Sequence, residues 1–317
     1  MRLIIDTDTA GDDTYSLLLA MRTPGSTLEA VTVCVGNVPF DQQVENALAT
    51  IEAAGFSGKV PVYCGARRPM VKPWEASTMH GNDGMSGANL PLACQRPETI
   101  HAVDAIIERV MAEPGEIDIL AQAPLTNIAL AVMKEPRIVK AARHLWIMGG
   151  TDNSVGNITP CAEYNFFIDP EAARIVFEAG FNITLSTWTL TLRSSVFDAD
   201  QLEEIFAMKT PLSEFYRKVS AVPRQTAEAR YGRPMSTHPD SLTCACALNP
   251  ALIESARDAV VRIETGGEIT RGFSAIHPPV LGNRWPEYKV NARVIEQASN
   301  QGFFQMLKQA LAADLRA

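Results

Sequence analysis

Four carboxylates fall within eight residues in Asp6-Thr7-Asp8-Thr9-Ala10-Gly11-Asp12-Asp13, between the apolar run Leu3-Ile4-Ile5 and the start of a helical pattern. Carboxylates crowded in this way repel one another and are driven toward protonation unless a cation lies among them. Oxygen-only donors suit a hard divalent ion, Ca²⁺ or Mg²⁺. The competing reading is that Asp12 and Asp13 cap the helix while Asp6 and Asp8 face solvent. The spacing is not that of an EF-hand loop, because the acidic ladder stops after eight residues and lacks the distal glutamate.

Residues able to join such a site recur where other strands should end. In an open parallel sheet, ligands sit outside the carboxyl ends of the strands. Asp6 and Asp8 leave the first strand there, Gly36-Asn37 the second, Gln122 a later one and Met148-Gly149-Gly150 another. The elements behind these ends follow an alternation of short apolar runs with helical patterns. Strands are predicted at 2–5, 30–35, 60–63, 117–121, 144–148 and 182–187. Helices are predicted at 12–22, after Pro39, at 101–111, at 124–133 and from Asp169-Pro170-Glu171, where Asp169 reads as a cap. Residues 197–248 read as mainly helical, followed by strands at 259–263 and 288–294 and a last helix at 300–312. The expected fold class is therefore α/β, a mostly parallel sheet flanked by helices in a Rossmann-like core, with the active site at the carboxyl ends of the strands.

The chain has 317 residues, 46% of them hydrophobic and 20% charged. Its mean hydropathy is −0.01. Those values exclude a disordered or fibrous chain. Lacking a repeat or linker, it reads as one domain over 1–317, with the helical region of about 197–248 contributing to the pocket. The balance of 28 basic and 36 acidic residues, −8, argues against a nucleic-acid surface or an anionic-membrane binder. No apolar run is long enough to span a bilayer, and Asp6 interrupts the N-terminal run too soon for a signal-peptide core, so a cytoplasmic address is expected. Six scattered cysteines without a CxxC pair read as reduced, mostly buried thiols. His101, His144 and His277 read as structural.

The motifs together resemble the inosine-uridine-preferring nucleoside hydrolases. The resemblance rests on Asp6-Thr7-Asp8 with Asp12-Asp13, Gly36-Asn37, His80-Gly81-Asn82-Asp83-Gly84, Ala123-Pro124-Leu125-Thr126-Asn127, Met148-Gly149-Gly150, Gly156-Asn157 and Ala162-Glu163-Tyr164-Asn165 leading to Asp169-Pro170-Glu171. They occur in the family's order over residues 3 to about 190, and Asp240 and Thr270-Arg271-Gly272 extend the match more weakly. The resemblance implies hydrolysis of the N-glycosidic bond of a ribonucleoside to ribose and free base, in nucleoside catabolism or salvage. It implies one Ca²⁺ held by Asp8, Asp13, the main-chain carbonyl of Gln122 and Asp240, and a Ca²⁺-bound water as nucleophile with Asp8 as general base. Asp12, Asn37, Asn157, Glu163 and Asn165 would grip the sugar, Met148 would line it, and His80 would take a pocket role. If extended, the segment from Glu163 to Asn165 would put both side chains on one face. The resemblance also implies a homodimer or homotetramer.

Three positions depart from the family's pattern. Thr9-Ala10 replaces the usual Pro-Gly, leaving Gly11 as the flexible position. Thr189-Leu190-Thr191 stands where Asp-Leu-Thr is common. Most consequentially, His238-Pro239-Asp240 puts a proline where the family's acid histidine immediately precedes the last metal-binding aspartate. His238 is the candidate acid from one residue further back, with Trp74, Trp188, Arg230 and Tyr231 as other groups able to activate the base. Residues 222–239, rich in Arg, Gly and Pro, read as a lid. Two rival readings remain. A haloacid-dehalogenase-type phosphohydrolase would use Asp6 as nucleophile with Mg²⁺ but leaves Asn37, Glu163, Asn165 and Asp240 unexplained. A Ca²⁺-dependent ribose or nucleoside sensor would have no need of a base at Asp8.

Overall fold

Apolar runs buried on both faces make the central strands. In the computed structural model, which describes residues 1–74, 76–279 and 289–312, β1 (Arg2–Thr7), β2 (Thr27–Val33), β3 (Val62–Cys64), β4 (Ile117–Ala121), β5 (His144–Met148) and β6 (Ile183–Ser186) run parallel. Side chains alternate between the two faces. Leu3, Ile5, Val31 and Val33 pack into one hydrophobic core with Leu17, Leu18 and Val44, while Ile4, Ala30, Ile117 and Ile119 enter a second core with Ile106, Ile128 and Val176.

After β6 come the short antiparallel pair β7 (Val196–Phe197) and β8 (Ser236–Thr237), then β9 (Ile253–Ile263), β10 (Ser274–His277) and β11 (Ala292–Ala298). β11 joins β6 in parallel, β9 pairs antiparallel with β11, and β10 pairs antiparallel with β9 at the edge. Among the described residues the main sheet has the order β10-β9-β11-β6-β5-β4-β1-β2-β3. Strand order reverses between β1 and β4, the topological switch point at which doubly wound sheets open a ligand crevice. Asp8 and Gln122 leave the sheet on its two sides.

Between β6 and β9 the chain is helical: Trp188–Ser194, Ala199–Ala207, Pro211–Val219, Ala221–Tyr231 and Pro239–Leu248. The last of these packs along Asp13–Arg22, with the Cys244 thiol on the Ser16 carbonyl at 3.4 Å, and so brings both helix N-termini to the rim of the sheet. The segment 222–239, read as a lid, divides in two: the helix Ala221–Tyr231 that makes its first part buries none of its residues, whereas Met235, Ser236 and His238 in its second part are buried.

The α/β architecture is the expected one, and its edges are where the pattern failed. β9 starts at Ile253 rather than at 259, because its first half is polar and largely exposed. β10 and the short helices Ile138–Ala141 and Tyr164–Ile168 are too brief to show a period. The strand expected at 288–294 begins at Tyr288, outside the described residues, and is observed at Ala292–Ala298. All six cysteines are free; Cys34, Cys244 and Cys246 are buried, but Cys64 and Cys161 are only partly covered and Cys94 is exposed. No helix among the described residues is long and apolar enough to cross a membrane.

Candidate active site

The acidic turn is buried rather than solvated. Asp6, Asp8, Asp12 and Asp13 are at most 6% exposed, and Asp240 joins them from the first turn of Pro239–Leu248. Asp13 Oδ1 accepts from Thr7 Oγ1 (2.6 Å) and Gln122 Nε2 (3.0 Å), and its Oδ2 accepts from Ala10 N (3.1 Å). Asp12 makes no side-chain cap on its own helix; its Oδ2 accepts the Asp240 backbone N–H at 2.8 Å, capping the other one. Asp8 Oδ2 accepts from Asn37 N at 2.7 Å, and Asp8 Oδ1 is buried without a partner. A Cβ at Gly36 would overlap the Asp8 carboxylate, so only glycine lets this backbone approach. Gly11 takes the left-handed conformation (φ +50°) that the turn needs, and His80 lies directly over it.

Burial raises the pKa of every one of these acids. Asp12 is pushed up to about 7 and Asp13 to about 6, chiefly by desolvation, with Asp13 adding repulsion at Asp12. Asp8 and Asp240 rise well above the ordinary range through desolvation and then neighbouring aspartates. None of the ion pairs among the described residues supplies a Lys or Arg to the four. An oxygen-rich, uncompensated cluster with an unpartnered carboxylate oxygen fits a hard cation in its chemistry. The carboxylates are not gathered round a single point, however: among the described residues no three acidic, histidine or cysteine side chains form a ready cage. They lean instead on protein N–H and O–H donors.

The expected sugar-binding residues take several positions. Asn165 Nδ2 donates to the carbonyls of Gln122 and Met148, both at 3.2 Å, and meets Met148 Sδ at 3.7 Å. Glu163 and Asn165 do not lie on an extended segment. Glu163 caps the helix Tyr164–Ile168, its carboxylate accepting from Asn165 N (2.9 Å), Phe166 N (3.3 Å) and Gly150 N (2.8 Å), and burial pushes its pKa to about 7. Asn157 is exposed and its Oδ1 accepts Tyr164 N at 2.9 Å. Asn37 reaches the cluster through its backbone. His80 Nδ1 is buried without a partner, and burial lowers that imidazole to about 4. Arg230 and Tyr231 are exposed and Trp188 is half-buried. His101 caps a helix and His144 bonds Thr184.

Residues 3–305 match the family model described as inosine-uridine preferring nucleoside hydrolase. The chain belongs to this nucleoside hydrolase family. Among curated relatives it is 33% identical over 315 residues to the pyrimidine-specific ribonucleoside hydrolase RihA of Shewanella sp. strain ANA-3, covering 98% of this chain and 96% of that one. It is 36% identical over 280 residues to an uncharacterised protein of Schizosaccharomyces pombe, covering 87% and 89%. Among solved structures, a plant nucleoside hydrolase superposes with a TM-score of 0.91 at 28% identity over 99% of both chains. An inosine-guanosine nucleoside hydrolase gives 0.89, also at 28% identity and 99% coverage of both. The protein is thus a ribonucleoside hydrolase by family, acting on N-glycosyl bonds.

In this nucleoside hydrolase His238 is not placed to act as the acid, which corrects the expectation for that residue. The imidazole is fully buried, 4.2 Å from the Phe197 ring centre and flanked by Tyr216 and Phe303. Nδ1 must carry hydrogen, because it faces the Ser195 carbonyl at 3.0 Å; Nε2 then accepts from Tyr216 Oη at 2.8 Å. Burial lowers its pKa to about 4, so the ring is neutral and both nitrogens are engaged. His238→Gln is expected to cost about 1–3 kcal/mol of stability by stranding Tyr216 and Ser195, while the folded fraction keeps kcat within about tenfold of wild type. A loss of about 10² or more would restore the acid role.

Three further contacts of the hydrolase join residues whose partners the sequence did not indicate. Asp6 accepts from Thr32 Oγ1 (2.6 Å) and Asn127 Nδ2 (2.8 Å), so the Ala123–Asn127 motif holds β1 and β2 together beneath the site. Asp169 accepts from Thr126 Oγ1 at 2.6 Å besides capping its helix. Tyr164 Oη reaches the Gly36 carbonyl at 2.9 Å. Only the adjacency of Tyr164 to Glu163 and Asn165 hinted at it.

Proposed function

We propose that the protein hydrolyses the N-glycosidic bond of ribonucleosides to ribose and free base, with Asp8 as general base toward the attacking water and Ca²⁺ as cofactor. The observation that carries this reading is the shared burial of Asp8, Asp12, Asp13 and Asp240 beside the switch point of the sheet, where they repel one another with no cationic side chain among the described residues to compensate them. Asp8, Asp13, the Gln122 carbonyl and Asp240 would hold the ion. When bound, it supplies charge neutralisation and Lewis acidity that lowers the pKa of water. Asp8 suits the base because Asn37 N–H fixes one of its oxygens and the other has no partner. Four ionised aspartates leave about two negative charges beside a divalent ion, which favours an oxocarbenium-like ribosyl group over the neutral nucleoside. Asp12, Asn37, Asn157, Glu163 and Asn165 would bind the sugar, Met148 would line it, and His80, which packs against Gly11, would take a pocket role. Because the proposed ligands run from Asp8 to Asp240, we read residues 1–317 as one working domain. The homodimer or homotetramer implied by the family resemblance belongs to the same proposal and is measured by light scattering.

The test is a panel of purine and pyrimidine ribonucleosides, since relatives named pyrimidine-specific and inosine-guanosine hydrolases both align with the chain. Reducing sugar should appear with at least one of them. Saturable nucleoside or ribose binding with no release from any would favour the sensor reading, and release of phosphate from phosphomonoesters the phosphohydrolase.

A further inference from the structure

Tyr164 takes no part in the scheme above, yet its hydroxyl joins the start of the helix Tyr164–Ile168 to the loops that carry Gly36 and Trp74. Tyr164 Oη donates to the Gly36 carbonyl at 2.9 Å and accepts from Trp74 Nε1 at 3.1 Å. That Gly36 carbonyl shares one peptide unit with the Asn37 N–H, the group that donates to Asp8 Oδ2 at 2.7 Å. A trans peptide is planar and its C=O and N–H point in opposite directions, so fixing the carbonyl on one side fixes the N–H on the other. The next carbonyl, Asn37 O, is also tied, accepting from Ser77 N at 2.8 Å. Gly36 has no Cβ to keep this peptide off the Asp8 carboxylate.

We infer that Tyr164 is a positioning residue for Asp8, acting through the Gly36–Asn37 peptide, with Trp74 as the outer anchor. The donors run in one direction, from indole to phenol to carbonyl and from amide to carboxylate, so each bond polarises the next. The chain of bonds sets which Asp8 oxygen is occupied and leaves Oδ1 for chemistry. This inference rests on the reading of Asp8 as the general base. A small misplacement of a reacting group can cost up to about 10²-fold in rate.

Tyr164→Phe keeps the ring and removes the hydroxyl. Its kcat is expected to fall about tenfold while KM for the best ribonucleoside of the panel stays within about twofold, the signature of an interaction felt in the transition state rather than in binding. Trp74→Phe should lower kcat in the same direction by less. A Tyr164→Phe kcat within twofold of wild type, or a loss carried by KM alone, would overturn the inference. Should Tyr164→Phe not fold, Trp74→Phe decides, and an unchanged kcat there overturns it equally. Asp8→Asn separates the two claims: turnover retained by Asp8→Asn removes the general-base reading, whereas an inactive Asp8→Asn beside a fully active Tyr164→Phe removes only the positioning role.

Discussion

Asp8→Asn is expected to lower kcat for ribonucleoside hydrolysis by about 10²–10⁴-fold, the usual contribution of a positioned general base, and to leave the fold intact. The substitution is nearly isosteric. The amide oxygen can still accept the Asn37 N–H that Asp8 Oδ2 now accepts at 2.7 Å. What disappears is the proton-accepting oxygen, Oδ1, together with one negative charge from a cluster in which Asp13 and Glu163 repel Asp8. Relief of that repulsion means the cation-free variant should melt no lower than cation-free wild type. Steady-state kinetics beside a thermal melt check both parts. Turnover within tenfold of wild type would sink the assignment of Asp8, and a collapsed fold would show the residue to be structural.

Removal of divalent cations should abolish ribose release, and Ca²⁺ should restore it. The physical case is the density of buried carboxylates: desolvation raises Asp8, Asp12, Asp13 and Asp240, and neighbouring aspartates add repulsion at Asp8, Asp12 and Asp240. A cation binding the folded protein and not the unfolded chain adds about 2.7 kcal/mol at a hundredfold excess over Kd, which amounts to several degrees in Tm. Asp13→Asn should shrink that increment, because Asp13 is tied to Thr7, Ala10 and Gln122 and so supplies a rigid donor. Mg²⁺ should restore less than Ca²⁺, since it demands a smaller, near-octahedral shell that several fixed carboxylates do not offer. Activity unaffected by a chelator, with no Ca²⁺-dependent change in Tm, would remove the metal from the proposal.

The fold was legible wherever burial on both faces produced continuous apolar runs, as at Ile117–Ala121 and His144–Met148, whose bounds agree with expectation. It was less legible at β9, whose first half pairs with β11 alone, carries Glu254, Ser255 and Arg257 and shows no apolar period. Within the site, the carboxylates of the first turn could be singled out because their spacing alone sets up repulsion. Asn157 and Glu163 were harder to place. Both make hydrogen bonds to backbone N–H groups whose position depends on a five-residue helix that no periodicity announces.

What the sequence by itself determined is local: a buried first strand that runs into an acidic turn, strand ends rich in Gly and Asn, and a proline between His238 and Asp240. Tertiary structure alone decided how distant pieces meet. Pro239 opens a helix, and His238 before it turns into a cluster of Phe197, Phe303 and Tyr216 instead of toward the acids. Asp12 caps a helix by accepting the N–H of Asp240, 228 residues later in the chain, and Tyr164 reaches across to the peptide that holds Asp8. Residue spacing reports only neighbours along a helix or strand. Burial and hydrogen bonding between remote segments are settled when those segments pack, and they determine which of two equally plausible side chains meets the site and which meets the core.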